Sequence, residues 1–372
     1  MTVYFFLIVI IFFLAPLCDK KYIFTSKPRE GSKLYLKIII ILFIIVMGLR
    51  ANSVGTDTAP YARSFAKIGA YSSYREALNG ISNTAPVFIL INWVCYRVTS
   101  NPQLYVFVMA VFINMALYFF VKKTSVNYFL SSFLYVGLTL FYYGMNGSRQ
   151  TLAILLALNA LLLLSDNIKS VCGWFLLLLA VGIHLTCLIM LVAVMGIILI
   201  NKIDNKKMVV ILFLFLGAVS TVLLSTIAMI VSKFFPHYLI YISGQASAQI
   251  HEASTKGRIV VVYLFLLLFI IIWLLKKNII FCKLDHIFLN LMPMMAFGIV
   301  MGIVNCRNEL INRLMWYFIA SFITFIPYII SKIKRKYRLF FCSGIIIAFV
   351  LYNFVFLHEN QSGVFPYLFF WN

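Results

Sequence analysis

Long apolar runs separated by short polar segments recur from one end of the chain to the other. A membrane-spanning helix needs about 20 predominantly apolar residues. Candidate spans lie at residues 1–18, 34–50, 103–121, 126–145, 150–165, 208–232, 259–275, 287–305, 314–331 and 339–357. The pattern predicts an all-α polytopic integral membrane protein, with residues 1–372 forming a single membrane domain.

Two further apolar segments are ambiguous in length. Residues 171–200 form an apolar run that polar positions interrupt around His184, which favours two short helices meeting there. Residues 86–98 are too short to span comfortably and suit a re-entrant segment. These assignments give about 12 transmembrane helices, within a range of about 11 to 13. The alternative is one long helix over 171–200 and a spanning 86–98.

The basic residues predict the orientation in the membrane. The net charge is +21, and the Lys and Arg residues cluster in short loops between apolar runs, as the positive-inside rule requires. Twelve spans place both termini outside the cytoplasm. The alternative topology leaves a similar share of basic residues in the cytoplasm, but it places Lys122 and Lys123 outside the cytoplasm. This distribution gives no reason to expect nucleic-acid binding.

Composition narrows the chemistry that is available. The seven cysteines are scattered singly, without CxxC pairs or histidines at ligand spacing, so neither a disulfide framework nor a zinc site is predicted. We expect no metal and no cofactor. The sequence also has no phosphate-binding loop for a nucleotide.

Only 11% of the residues are charged, so the positions of the unusual polar groups carry most of the functional information. In the preferred topology these groups all fall at the external membrane face. They are Arg50, Asp57, Tyr61, Arg149, Gln150, His184, Arg307, Glu309 and Arg313. The external loops 51–85 and 233–258 are therefore expected to contact the substrate.

Two of these positions suggest an anion site. Ser148 is a candidate N-cap for the helix that follows, which would place Arg149 in its first turn. A cation there opposes the helix dipole, whereas an anion bound there is favoured by both. In the segment 307–313, Arg307 and Arg313 could donate hydrogen bonds to phosphate oxygens. Alternatively, Glu309 and Arg313 could form an i, i+4 ion pair.

Two other residues are candidate bases. His184 lies in a very apolar stretch, where an ionisable group needs a partner or a water-filled cavity. It serves either as a catalytic group or as a neutral histidine hydrogen-bonded between helices. Asp57 follows Gly55 in a turn, and its carboxylate could act on substrate or cap the local backbone.

At these residues the chain resembles the EpsG family of polysaccharide polymerases, the Wzy-like enzymes of O-antigen, capsule and exopolysaccharide assembly. The resemblance rests on short motifs in a fixed order along nearly the whole chain. They are Arg50 with Val54-Gly55-Thr56-Asp57-Thr58 and Tyr61, Arg149-Gln150, His184 with Thr186, Arg313 before Trp316-Tyr317-Phe318, and Pro366-Tyr367. The sequence departs from the family at Ala85, where a Glu before proline is expected, and at Thr186, where Ser is usual.

The resemblance implies a membrane glycosyltransferase that joins undecaprenyl-pyrophosphate-linked oligosaccharides at the outer face of the bacterial inner membrane. Arg149 and Arg313, with Arg50, are then the candidates for pyrophosphate binding, and Asp57 or His184 is the base. Tyr61, Gln150, Arg307 and Glu309 are further substrate-binding candidates. Expected partners are the lipid-linked oligosaccharide, membrane lipid and a chain-length regulator protein.

Two other functions use similar residues. An O-antigen ligase would take the same donor and similar Arg and His chemistry, and it is not separated from a polymerase by these residues. A lipid-linked oligosaccharide flippase should carry internal repeats and charges along a path through the bilayer. The sequence shows no repeat between its halves, which favours an enzyme.

Overall fold

The computed structural model describes residues 2–18, 30–82, 84–220, 222, 226, 254–275, 283–304, 309–360 and 362–371. Within these residues the regular structure is helical, as predicted, with a single isolated β-bridge between Arg50 and Phe369.

The helices are numbered in chain order. They are α1 (Thr2–Cys18), α2 (Glu30–Gly48), α3 (Thr58–Gly69), α4 (Tyr74–Gly80), α5 (Pro86–Val98), α6 (Pro102–Thr124), α7 (Tyr128–Gly137), α8 (Leu140–Asn146), α9 (Ser148–Asp166), α10 (Val171–Ile183), α11 (Leu191–Lys202), α12 (Lys206–Ala218), α13 (Ser254–Leu275), α14 (Lys283–Val304), α15 (Glu309–Ile319), α16 (Phe322–Lys332) and α17 (Arg335–His358). A short 3-10 helix, Leu185–Met190, joins α10 to α11.

The lengths and surfaces of these helices are those of a multi-pass membrane protein. Among the described residues, 6 helical segments are long and apolar enough to cross a bilayer. They are Pro102–Thr124, Ser148–Asp166, Leu185–Lys202, Asp285–Val304, Arg313–Lys332 and Arg335–His358. Helix α17 leaves Phe340 76% exposed and Leu351 62% exposed, which suits a helix that faces lipid. The total of about 12 spans stays a prediction.

The chain divides into two compact units. The first contains Met1–Leu163, Lys169–Leu188 and Ile323–Asn372, and the second contains Leu164–Ile168 and Ile189–Phe322. In the first unit α2 packs against α1, α6 and α7, while α3 packs against α5 and α6. Loop 51–85 is therefore largely helical, because it contains α3 and α4.

The expected helix break in the run 171–200 is confirmed. Helix α10 ends at Ile183, His184 occupies its C-cap position in an extended conformation, and the 3-10 helix follows. The run therefore forms two short helices on either side of the polar positions. Residues 86–98 are helical as α5, and their re-entrant placement stays a prediction.

The expected single helix over 126–145 is wrong. The run divides into α7 and α8 at Leu138 and Thr139, and Thr139 has a left-handed backbone with φ of 62°. The Asn353 side-chain amide donates to the Gly137 carbonyl (2.9 Å) and so satisfies a backbone group at this break. The run 314–331 also divides, into α15 and α16, where the Ser321 hydroxyl donates to the Phe318 carbonyl (2.8 Å).

Helix α14 is central to the second unit, where it packs against α11, α12, α13 and α15. Glycine residues allow α11 and α12 to approach α14 closely. A Cβ on Gly196 would lie 2.8 Å from Pro293 Cβ, and one on Gly217 would lie 2.6 Å from the Phe297 carbonyl oxygen. The α12–α14 contact therefore brings backbone against backbone.

Replacing Gly217 by Ala is expected to destabilise the protein, because a methyl group cannot fit against the backbone of α14. Overpacking of this kind costs about 1–3 kcal/mol. Gly344 in α17 is the matched control, since a Cβ there meets nothing within 4 Å. Gly344→Ala should leave the melting temperature in detergent unchanged or slightly raised. Equal melting temperatures for the two variants would contradict the close α12–α14 approach.

Candidate functional site

Arg50 lies immediately beyond α2 and is only 2% exposed. Its guanidinium donates to the Met47 carbonyl and, over 2.9 Å, to the Met145 carbonyl in the last turn of α8. The Gln103 amide donates to the Gly48 carbonyl (2.6 Å) and to the Arg50 carbonyl (3.3 Å). Arg50 therefore ties the end of α2 to the turn that precedes α9.

The Arg50 guanidinium remains cationic at neutral pH even when it is buried, because it cannot be deprotonated in a protein. The Arg50 Nε atom is also buried, and no described residue accepts a hydrogen bond from it. The carbonyls therefore satisfy only part of the guanidinium.

The segment 54–58 is attached to the turn between α8 and α9 by several hydrogen bonds. Asn146 Oδ1 accepts from the Thr56 hydroxyl and from the Asp57 amide, both over 2.8 Å. The Thr58 hydroxyl donates to the Val54 carbonyl (2.7 Å) and, more weakly, to the Met145 carbonyl (3.3 Å). These contacts fix the start of α3 relative to the start of α9.

Arg149 stands in the first turn of α9, as predicted, but the predicted capping residue is wrong. The Thr151 amide donates to the Gly147 carbonyl (2.9 Å), so Gly147 occupies the N-cap position and Ser148 is the first helical residue. The Ser148 hydroxyl lies 3.1 Å from the Tyr105 hydroxyl and hydrogen-bonds with it.

The Arg149 guanidinium lies between two aromatic rings. Its Cζ is 5.1 Å from the ring centroid of Tyr61 on α3 and 4.7 Å from that of Phe88 on α5. Arg149 Nε is buried, and no described residue accepts a hydrogen bond from it. Aromatic faces partly stabilise a desolvated cation, but they leave the planar edge of the guanidinium and its donors unused.

Several positively charged groups therefore lie near the start of α9 in the first unit. Arg50 donates to the carbonyl of Met145, which lies four residues before Arg149. The N-terminus of α9 adds the positive end of its dipole. Bidentate guanidinium donors at a helix N-terminus are suited to binding phosphate or pyrophosphate oxygens.

Asp57 occupies the N-cap position of α3, yet its side chain makes no capping hydrogen bond with that helix. The local capping role that the sequence left open is therefore not observed. The carboxylate is half-buried and stands beside Asn146, which its own amide contacts. Gln150, 5% exposed, accepts a hydrogen bond from the Tyr143 hydroxyl (2.5 Å).

His184 belongs to the same unit, and its neighbours contact the elements that carry the Arg149 site. A Cβ on Gly182 would lie 2.5 Å from Val87 Cγ2, next to Phe88. Cys187 Sγ lies 4.0 Å from the carbonyl oxygen of Ala153, one turn beyond Arg149 on α9. The His184 Nδ1 atom hydrogen-bonds with the Thr186 hydroxyl over 2.6 Å, which orients the imidazole.

The segment 307–313 is only partly described. Arg313 is exposed on α15 in the second unit. Glu309 begins the same helix four residues earlier, as an i, i+4 pair requires, but its side chain lies outside the described residues. Arg307 and residues 233–253 of the predicted external loop also lie outside them.

Several residues at the site were not among the candidates predicted from sequence. Phe88 and Tyr105 gave no signal, because an aromatic residue in an apolar segment is expected in any membrane helix. Asn146 was detectable in principle, since a polar residue directly before Gly147-Ser148-Arg149 marks a turn. Among the described residues, no three His, Cys, Asp or Glu side chains lie together in a way that could hold a metal ion.

Comparison with known protein families gives a match to the EpsG family over residues 33–369. No curated protein and no solved structure matches the chain. The family is associated with glycosyltransferase or polymerase activity in polysaccharide synthesis. The match covers nearly the whole chain, including every candidate residue of the site. This chain, a helical multi-pass membrane protein with a cationic site at the start of α9, therefore belongs to the EpsG family.

Proposed function

We propose that the protein is a polymerase that joins undecaprenyl-pyrophosphate-linked oligosaccharide repeat units into O-antigen or a related surface polysaccharide. The observation that carries the proposal is Arg149, a cation held by two aromatic faces in the first turn of a membrane helix. Its Nε donor contacts no acceptor among the described residues. A pyrophosphate is the ligand that this arrangement fits, because it offers several anionic oxygens to a planar set of donors.

The reaction needs only a few groups from the protein. The acceptor sugar hydroxyl forms a bond to the anomeric carbon of the donor, and the bond from that carbon to the pyrophosphate oxygen breaks. The lipid pyrophosphate leaves with the bonding electrons, and a base takes the hydroxyl proton. Cations that stabilise the departing charge lower the barrier, because they bind the leaving group more tightly as its charge develops.

Arg50 and Arg149 have different parts in this scheme. Arg50 uses guanidinium donors on the carbonyls of Met47 and Met145, so it fixes the backbone and contributes long-range positive potential. Arg149 is the residue that contacts the pyrophosphate. Arg313 is an additional candidate ligand by family resemblance alone.

The base is either Asp57 or His184. Asp57 lies at the start of α3 beside Asn146, on the turn that leads to Arg149. Thr186 orients the His184 imidazole through a hydrogen bond. Gly182 packs against Val87 beside Phe88, and Cys187 lies against Ala153 on α9, so the segment that carries His184 contacts the helices of the Arg149 site. Both placements suit a group that accepts a proton from a sugar bound beside the pyrophosphate.

We place the site at the outer face of the bacterial inner membrane, because the distribution of basic loops favours that orientation. The energy for polymerisation is stored in the lipid-pyrophosphate donor, so a nucleotide is not required at this face. A chain-length regulator protein is the partner expected to set polymer length.

Arg149→Ala is expected to abolish polymer formation. Losing one donor to a developing oxyanion typically lowers turnover about 10²–10³-fold. Lysine keeps the charge but not the planar donors, so Arg149→Lys should restore only part of the activity. The measurement is the size distribution of surface and lipid-linked glycan in cells that lack the gene and carry each variant.

The control is Arg335→Ala, which removes an exposed charge at the start of α17, outside the loops that are expected to contact the substrate. It should give the wild-type ladder. A wild-type ladder from Arg149→Ala would overturn the proposed site. In the deletion strain, full-length polymer left on the lipid carrier would instead indicate a ligase, and repeat units trapped on the cytoplasmic side would indicate a flippase.

Phe88→Leu should lower the polymerase activity more than a substitution that causes the same loss of thermal stability elsewhere. The substitution removes one aromatic face from Arg149, and a desolvated cation–π contact contributes about 0.5–2 kcal/mol. Phe65→Leu is the matched control, because Phe65 is fully buried on α3 and packs on Tyr96 and Tyr105. Both variants should lose similar thermal stability. Equal activities would contradict a role for the aromatic pair around Arg149.

Asp57→Asn and His184→Gln should separate the two candidate bases. Each change keeps a polar side chain of similar size, and loss of a general base typically costs about 10²–10⁴-fold in rate. We expect one variant to show this loss in a purified polymerisation assay, and the other to show a smaller defect. Near-wild-type rates for both would exclude these residues as the base.

A further inference from the structure

The C-terminal segment 362–371 returns to the loop that follows α2, about 310 residues earlier in the chain. Near Arg50 the Ala51 amide donates to the Leu368 carbonyl (2.9 Å), and the Phe370 amide donates to the Leu49 carbonyl (3.0 Å). Arg50 and Phe369 form the isolated antiparallel β-bridge between these two bonds. The backbone on both sides of Arg50 is thus paired with the end of the chain.

A second pair of backbone bonds lies nearer the start of α3. The Gly55 amide donates to the Gly363 carbonyl (2.8 Å), and the Thr56 amide donates to the Ser362 carbonyl (3.2 Å). Gly363 has a left-handed backbone with φ of 62°, and a Cβ on it would lie 2.8 Å from Thr56 Cγ2. Glycine is therefore required there for both the conformation and the approach.

Two tyrosine hydroxyls hold the segment from the other side. Tyr367 donates to the Val46 carbonyl of α2 (2.8 Å), and Tyr4 of α1 donates to the Val364 carbonyl (2.7 Å). The two rings meet edge to face, with centroids 5.7 Å apart. Burial raises the pKa of Tyr367 to about 12, so its hydroxyl is protonated and able to donate at physiological pH.

The loop held in this way carries the contacts that set the Arg149 turn. Thr56 and Asp57 donate to Asn146, and Arg50 donates to Met145, while Asn146 lies three residues before Arg149. The segment 362–370 satisfies the Leu49 carbonyl and the amides of residues 51, 55 and 56. The segment therefore adds backbone partners to a loop whose side chains already contact the turn.

We propose that Tyr4 and Tyr367 are positioning residues that lock the C-terminal segment onto the Arg50 loop and thereby hold the Arg149 site in its anion-binding geometry. The inference rests on the proposed function, because it takes the Arg149 site to bind pyrophosphate. Neither tyrosine contacts the ligand. Both act through the segment 362–370 and the turn at Asn146.

The test uses the full chain purified in detergent, with Tyr4→Phe, Tyr367→Phe and the double variant. Each change removes only a hydroxyl and keeps the ring contacts. Tyr337→Phe is the matched control, since Tyr337 is 47% exposed at the start of α17. Hydrogen–deuterium exchange of peptides covering residues 49–57 reports the order of the loop, and binding of inorganic pyrophosphate reports the site.

The double variant should exchange the amides of residues 51, 55 and 56 at least about ten-fold faster than wild type. It should also bind pyrophosphate at least about five-fold more weakly, the effect expected for a lost hydrogen bond. The melting temperature should fall by only a few degrees, and Tyr337→Phe should match wild type in all three measurements. Gly363→Ala should reproduce the exchange defect without altering either tyrosine.

The outcomes separate this inference from the proposed function. Wild-type exchange and wild-type pyrophosphate affinity in the double variant would overturn the positioning role, even where Arg149→Ala abolishes binding. Faster amide exchange with unchanged pyrophosphate affinity would also overturn the positioning role. The two tyrosines would then order the loop without affecting the Arg149 site. If wild-type protein fails to bind pyrophosphate, or Arg149→Ala binds it equally well, the proposed anion site is wrong and the positioning role is overturned with it.

Discussion

The buried guanidinium of Arg50 is the constraint on which the site in the first unit depends. Removing a charged group from water is costly unless it is paired or hydrogen-bonded. Two of the Arg50 guanidinium nitrogens donate to the carbonyls of Met47 and Met145, which lie at the ends of α2 and α8. Because those carbonyls must converge on one side chain, the two helix ends and the loop between Arg50 and Asp57 are held in a single arrangement.

The same constraint explains why Arg149 has aromatic neighbours. A carboxylate beside it would neutralise the charge and compete with an anionic ligand, whereas the faces of Tyr61 and Phe88 stabilise the cation without occupying its donors. Helices α3 and α5, which carry these rings, are also joined away from the site. Arg97 on α5 donates to the carbonyls of Gly69 and Tyr71 at the end of α3, and Trp93 donates to the Tyr71 carbonyl (3.2 Å).

The parts that could be predicted from sequence are those that local chemistry determines. The helical class follows from the apolar runs, and the break at His184 follows from polar positions inside one of them. The sequence places Arg149 in a first helical turn, with Ser148 as the expected N-cap. The placement holds although the cap is Gly147, because the helix begins only one residue earlier. The break at Thr139 could not be predicted, since Leu138 and Leu140 continue the apolar pattern and the Asn353 contact comes from a distant part of the chain. Phe88 and the pairing of residues 362–370 also depend on tertiary contacts that leave no local signal.

The pairing of the two distant segments has a consequence for biogenesis. Helices α1, α2, α3, α5, α8 and α9 all precede the last ten described residues by more than 190 positions. A ribosome therefore delivers every side chain of the Arg149 site to the bilayer well before it makes the segment that completes the Arg50 loop. During that interval the amides of residues 51, 55 and 56 lack the backbone partners that they have in the folded structure. The backbone pairing of the Arg50 loop can therefore form only after residues 362–370 have been synthesised, long after the helices that carry Arg149, Tyr61 and Phe88.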